Sequence, residues 1–241
     1  MKRRAHLIAV ALVACALAAG CNRNFDQQFE DQVNDTVHSL PMIGDESGLN
    51  VHAVRSIKQV IIHKIAVMPL VDAPDQIDKE LPPGSSDSVS ASLYAQAAVV
   101  GGWEVVPQDD VGDALQKLPP TTLANMDQNA LALGRQVNAD GVLYGAVNKY
   151  RERVGFDYSA QTPAAVAFSL YFVDEHSGQI VWSAKFAREQ KALSQNIFEL
   201  PTFLANKGRW VRAHDIAQEG VQASIANLSS KLTIQPVVQG Q

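Results

Sequence analysis

The chain has 241 residues, 46% of them hydrophobic and 19% charged, with 20 basic against 25 acidic side chains and a formal charge of -5. That length suits one domain with a sizeable core. The acidic balance argues against nucleic acid as a partner and against attraction to anionic lipid surfaces by charge.

Lys2, Arg3 and Arg4 open the chain, an apolar run follows from Leu7 to Leu17, and the small residues Ala18, Ala19 and Gly20 precede Cys21. These are the three regions of a secretory signal in order, with an apolar run too short for a transmembrane helix. The segment "AAGC" matches the lipobox of bacterial lipoproteins, which predicts a signal peptide over 1–20 and Cys21 as the lipidated first residue of the mature chain. The alternatives are a chance cysteine after an ordinary signal peptide, or an internal start without export. Two or more acyl chains anchor a protein stably where one binds only marginally. Asn22 rather than Asp follows the cysteine, so the inner-membrane retention signal is missing and the expected address is the outer membrane, facing the periplasm. Cys15 is discarded with the signal, and no thiol remains for a disulfide. Processing removes three basic residues and no acidic ones, leaving 17 against 25 and a formal charge of -8.

Residues 21–57 are rich in Asp, Asn, Gln and Glu and read as a lipidated tether. Phe25, Phe29, Val33 and Val37 have helical spacing, which leaves a short amphipathic helix or a loosely ordered linker open. The periplasmic domain is expected over 58–232, with a tail over 233–241. "IIHKIAVMPLVD" from Ile61 is apolar on both faces, as a central strand requires. After an acidic loop, Asp87 or a flanking Ser caps a helix that buries Val89, Leu93 and Ala97 and stops at Gly101. "WEVVP" is a short strand, Asp109 caps a second helix that "LPP" breaks, and Asp127 opens a third with Leu131, Gly134 and Val137 facing one way. The chain then turns through Asn138 into the strand "GVLYGAV", and "PAAVAFSLYFVDEHSGQIVWSAKFARE" is a hairpin closed by "DEHSG". In the last helix Ile216, Gly220, Val221, Ile225 and Leu228 form an apolar stripe, and the small residues Ala217, Gly220 and Ser224 allow close packing on a sheet. The pattern predicts an α/β single domain, a mixed β-sheet covered by helices in the order β-α-β-α-α-β-β-β-α.

No nucleophile elbow, HExxH, phosphate-binding loop or dinucleotide fingerprint occurs, and the six histidines have no metal-ligand spacing. His214, Asp215 and Glu219 lie near a helix start, but adjacent His214 and Asp215 do not share a face. Asp72, Asp75, Asp78 and Glu80 form an acidic loop without the alternating ligand and glycine pattern of a calcium site. The expectation is therefore no catalytic residue, no cofactor and no metal. "NIFELPTFLANKGRWV" places Phe198, Phe203 and Trp210 together with Ile197, Leu200 and Leu204 in a loop. Either this loop buries its own aromatics against the sheet, or Phe198, Phe203 and Trp210 are partner contacts, since aromatics are enriched at interface cores.

Taken in order, the lipobox, "IAVMPL", "GWEVVP", "ALGRQVNADGVLYGAV", "LYFVDEHSGQIVWSAKF" and the final helix resemble the superfamily of the curli secretion-channel lipoprotein. That group includes the Pel exopolysaccharide lipoprotein, the penicillin-binding-protein activator lipoprotein and the amino-terminal domain of TolB. The resemblance spans about Ile61 to Leu228, with "NADGVLYGAV" and the D-x-x-S-G-x-I turn as its most specific pieces. It implies a non-enzymatic accessory or scaffold of an envelope export or assembly machine, with protein partners and a homo-oligomeric ring. A regulator of a peptidoglycan synthase is the first alternative, and a hydrolase or ligand-binding protein the second. "RERVGFDYSAQT" is too short and polar for the membrane hairpin of the curli channel, which would need two strands of about 9 to 11 residues with apolar alternation.

Overall fold

The computed structural model describes residues 48–75, 80–156, 159–189 and 211–234. All lie in one compact unit. In chain order the elements are β1 (Leu49–Ala53), a 3₁₀ turn (Arg55–Gln59), β2 (Ile61–Ile62), β3 (Lys64–Val67), β4 (Val71–Asp72), α1 (Ser85–Ala98) and β5 (Glu104–Val105). There follow α2 (Gln108–Leu115), α3 (Met126–Val137), β6 (Gly141–Arg151), β7 (Val154–Phe156) and β8 (Ser159–Thr162). β9 (Ala165–Asp174), β10 (Gln179–Glu189), α4 (Ala213–Lys231) and β11 (Thr233–Ile234) complete the set.

The main sheet has the order β1-β10-β9-β6-β3-β5, with β4 also pairing β6. β3 runs parallel to β5 and β6, and β9, β10 and β1 then add antiparallel, so the mixed α/β sheet expected from the sequence is present. β6 is apolar from Val142 to Val147 apart from Gly145 because both its faces are covered. On one face, Val89, Leu93 and Ala97 of α1 and Ile216, Val221, Ile225 and Leu228 of α4 pack with Phe168, Leu170, Phe172 and Trp182. On the other, Val111 and Ala114 of α2 and Ala130 and Leu133 of α3 cover Ala66, Met68, Val142 and Tyr144.

The small residues of α4 do what their size allows. A Cβ on Gly220 would come within 2.6 Å of the Phe186 ring, so the helix backbone rests directly on that side chain. The helix is also fixed by the Trp182 indole, whose Nε1–H donates to Asn227 Oδ1 at 3.2 Å.

Several boundaries differ from the sequence reading. The stretch read as tether to residue 57 contains β1, whose Leu49, Val51 and Ala53 pack on the core while Asn50 and His52 point out. The tail beginning at 233 contains β11, which pairs in parallel with β2. α2 starts one residue before Asp109, which sits in its first turn rather than capping it. In α3 the buried face is Asn129, Ala130, Leu133 and Gly134, with Leu131 and Val137 only partly covered, because the short helix meets α2 as well as the sheet.

The two motifs that carry the resemblance are structural devices. In "NADG", Asn138 takes a left-handed conformation (φ 51) that ends α3. The Asp140 carboxylate then accepts the backbone N–H groups of His63 and Lys64, each at 2.7 Å, while the Asp140 N–H donates to the Lys64 carbonyl. This pins the start of β6 to the start of β3. In "DEHSG", the Asp174 carboxylate accepts from the Ser177 N–H and hydroxyl, and Gly178 closes the turn at φ 68, where an L side chain is strained. Neither motif leaves its carboxylate free for chemistry.

Candidate functional site

The register of the sheet brings four chain segments to one end. β6 finishes there, β9 starts, β10 finishes, and β1 starts where the Ala187 N–H donates to the Gly48 carbonyl at 3.0 Å. Across this end the Arg151 guanidinium pairs with Glu189 at 2.7 Å, and the Ala213 N–H at the start of α4 reaches Glu152 at 3.3 Å. The lead-in that carries Cys21 and the stretch that carries Phe198, Phe203 and Trp210 therefore both join the domain here, at Gly48 and at Glu189 and Val211. Cys21, Phe198, Phe203 and Trp210 themselves lie outside the described residues, as do Ile197, Leu200, Leu204 and the proposed helix positions Phe25 to Val37.

The residues weighed for chemistry are dispersed. His214 Nδ1 lies 3.4 Å from the Ser88 hydroxyl on α1. Asp215 accepts the Arg212 backbone N–H at 3.2 Å and its guanidinium Nε at 3.4 Å. Partial burial pushes the Asp215 carboxyl up, but these bonds outweigh it and hold it below the usual carboxylate range. Glu219 pairs with Arg188 at 2.6 Å. In the acidic loop Asp75 pairs with Lys149 at 3.3 Å, and Asp78 lies outside the described residues. Among the described residues no group of three or more His, Cys, Asp or Glu is placed to hold a metal ion, and no helix is long and apolar enough to cross a membrane.

Two features went unseen in the sequence. The first is a buried tyrosine pair: Tyr144 and Tyr171 lie on neighbouring strands with ring centroids 5.5 Å apart. Burial, and then the Asp127 carboxylate, push the Tyr144 hydroxyl far above its ordinary range, so it stays a neutral phenol. The second is a shallow groove of about 680 Å³ beside β4, lined by Leu70, Val71, Asp72, Thr121, Thr122, Leu123 and Ala124. Its far wall is the turn before α3, held rigidly by two asparagines. Asn125 Oδ1 accepts the Thr122 N–H at 2.7 Å and Asn125 Nδ2 donates to the Pro120 carbonyl at 2.9 Å. The buried Asn129 donates to the Pro119 carbonyl and to Thr121 Oγ1, each at 2.9 Å. "LPPTTLAN" shows the breaker residues of this turn, but its partnership with β4 is a long-range contact that no local pattern encodes.

No protein-family profile matches the chain, and no curated protein matches it. Solved structures do. The PelC dodecamer from Paraburkholderia phytofirmans is 16% identical over 75% of this chain and 96% of that one, with a TM-score of 0.46. The LpoB C-terminal domain from Salmonella enterica is 21% identical, covering 54% of this chain and 86% of that one at a TM-score of 0.39. Lipoprotein GNA1162 from Neisseria meningitidis is also 21% identical, covering 60% and 93% at 0.37. These neighbours match the set of envelope lipoproteins that the sequence resembles. At such identities and scores they bring no partner, ligand or assembly state with them.

Proposed function

We propose that the chain is an outer-membrane lipoprotein, anchored through Cys21 and facing the periplasm, that acts through protein contacts as a non-enzymatic accessory or scaffold of an envelope export or assembly complex. The observation that carries the reading is the coincidence of a basic start, an apolar run and "AAGC" directly before a polar lead-in of about 27 residues, Cys21 to Ser47, that ends at the sheet edge. That lead-in reaches at most about 3.3 to 3.6 Å per residue when extended, which keeps the domain within roughly 100 Å of the membrane. In this reading Cys21 anchors, and Phe198, Phe203 and Trp210 contact a partner. A homo-oligomeric ring agrees with the resemblance stated from the sequence.

The first test is Cys21→Ser in cells fed an alkyne-bearing fatty acid. The native chain should be labelled and recovered with outer membranes, whereas the variant should be unlabelled and released with the soluble periplasmic proteins. A variant that stays with the membrane without label would sink the anchor. Asn22→Asp should move the labelled protein to the inner-membrane fraction if the host sorts by that signal. Cross-linking in membranes then separates the roles: self-links with export subunits support the scaffold, and links to a peptidoglycan synthase with few self-links support the activator instead.

A further inference from the structure

We infer that the groove between β4 and the Pro119–Asn125 turn is a docking site for an extended segment of a partner protein, taken up as an added strand with an apolar side chain against Leu123 and a basic one against Asp72. The inference rests on the reading of a protein that works through contacts, and holds whether or not Cys21 is lipidated.

The first argument is an open strand edge. β5 pairs with β3 only at Lys64 and Ile65, and Pro107, which has no N–H to donate, turns the chain away after Val106. The strand line nevertheless continues to β4, which pairs β6 through Val71 and Asp72. The Ala73 N–H donates to the Val147 carbonyl at 2.9 Å, so by strand alternation the N–H and carbonyl of Asp72 point the other way, toward the groove. The Leu70 N–H, just before the strand, is taken by the Ser90 hydroxyl of α1 at 2.9 Å, so the edge that β4 offers is the N–H and carbonyl of Asp72. The N–H and carbonyl of one residue facing the same way are what an incoming antiparallel strand needs for a first pair of ladder bonds.

The second argument is the chemistry of the walls. Leu123 is 51% exposed, one of four large apolar side chains so exposed among the described residues, and it sits on the turn that Asn125 and Asn129 hold in place. A rigid turn that presents an exposed leucine loses little freedom when something packs on it. Val71 and Ala124 continue the apolar surface. The exposed Asp72 carboxylate makes no ion pair among the described residues, whereas Asp75 nearby is already paired with Lys149. An apolar wall with a single unpaired carboxylate at its rim selects an apolar residue next to a Lys or Arg. Thr121 and Thr122 line the rest of the groove, where a backbone would pass.

The test uses the mature chain purified from membranes in mild detergent and three fluorescent ten-residue probes: alternating lysine and valine, alternating glutamate and valine, and the lysine probe with prolines at its centre. The lysine probe should bind at least tenfold more tightly than either of the others. Leu123→Asp should weaken it at least tenfold with an unchanged melting temperature, and Asp72→Asn should erase the preference for lysine over glutamate. Equal binding of lysine and glutamate probes, or a lysine preference that survives Asp72→Asn, would mean diffuse attraction to an acidic protein and overturn the site. A photo-cross-linking residue at position 123 separates this failure from that of the wider reading. Partner links elsewhere on the domain but none from 123 would sink only the groove, and no partner links anywhere would sink both.

Discussion

Asp140→Ala is expected to lower the unfolding free energy by about 3 kcal/mol, roughly 6 to 12 °C in melting temperature for a domain of this size. The carboxylate accepts two backbone N–H groups, His63 and Lys64, at 2.7 Å each, and these belong to the chain just before and at the start of β3. Removing the acceptor leaves two N–H donors in a partly buried place, each costing about 1 to 3 kcal/mol if water does not replace it. Both bonds go to one oxygen, Oδ2, so Asp140→Asn can keep both with its amide oxygen and should lose only the strengthening that the charge supplies, about half as much. Thermal unfolding of the three proteins checks this, and an alanine variant as stable as the native chain would show that water satisfies both donors.

The same residue shows what sequence reading can reach. "NADGVLYGAV" could be read as a strand entry because Asn138 is a helix stop and the run after Gly141 is apolar on both faces. The function of Asp140 within it was not legible, since its partners lie 76 and 77 residues earlier in the chain. Period-2 and period-3.6 patterns report which face of an element is buried, not which other element buries it. This is why the stripes of α1 and α4 were readable while the partial burial of Leu131 and Val137 was not. β1 was hidden for a different reason: Leu49, Val51 and Ala53 do alternate with Asn50 and His52, but five residues beside an acidic stretch are too short to outweigh composition.

For the candidate site the division is sharper. The lipidation proposed at Cys21 rests on adjacent residues, so a single line of sequence is enough to raise it. The groove by β4 depends on β5 ending early, on Pro119 and Pro120 shaping a turn, and on Asn129 reaching back ten residues to hold it. Each piece is visible alone, and only their juxtaposition makes a surface. The separate dispositions of His214, Asp215 and Glu219 follow the same logic, since the three are claimed by Ser88 of α1, by Arg212 at the helix's own start and by Arg188 of β10.

Gly145→Ala carries the second large expected effect, and Gly112→Ala supplies its control. Gly145 lies mid-strand in β6, where an added Cβ would run into the Ser169 carbonyl oxygen and come within 3.0 Å of Leu170 Cα. Both obstacles are backbone of β9, the strand to which β6 is hydrogen-bonded along its length, so neither can move without opening the ladder. The expected cost is about 4 kcal/mol or more, in the range reserved for core overpacking with backbone strain, and the variant should be recovered poorly or melt at least roughly 10 °C lower. Gly112 lies in α2 with nothing within 4 Å of the position its Cβ would take. There the same substitution removes backbone entropy from the unfolded chain and improves helix propensity, and should stabilise by about 0.5 to 1 kcal/mol. Opposite signs from one chemical change would locate the constraint in the approach of two backbones at the centre of the sheet. If both alanines were tolerated, β6 and β9 would have to sit further apart at Gly145, and the packing of Phe168 and Phe172 beside it would have to loosen with them.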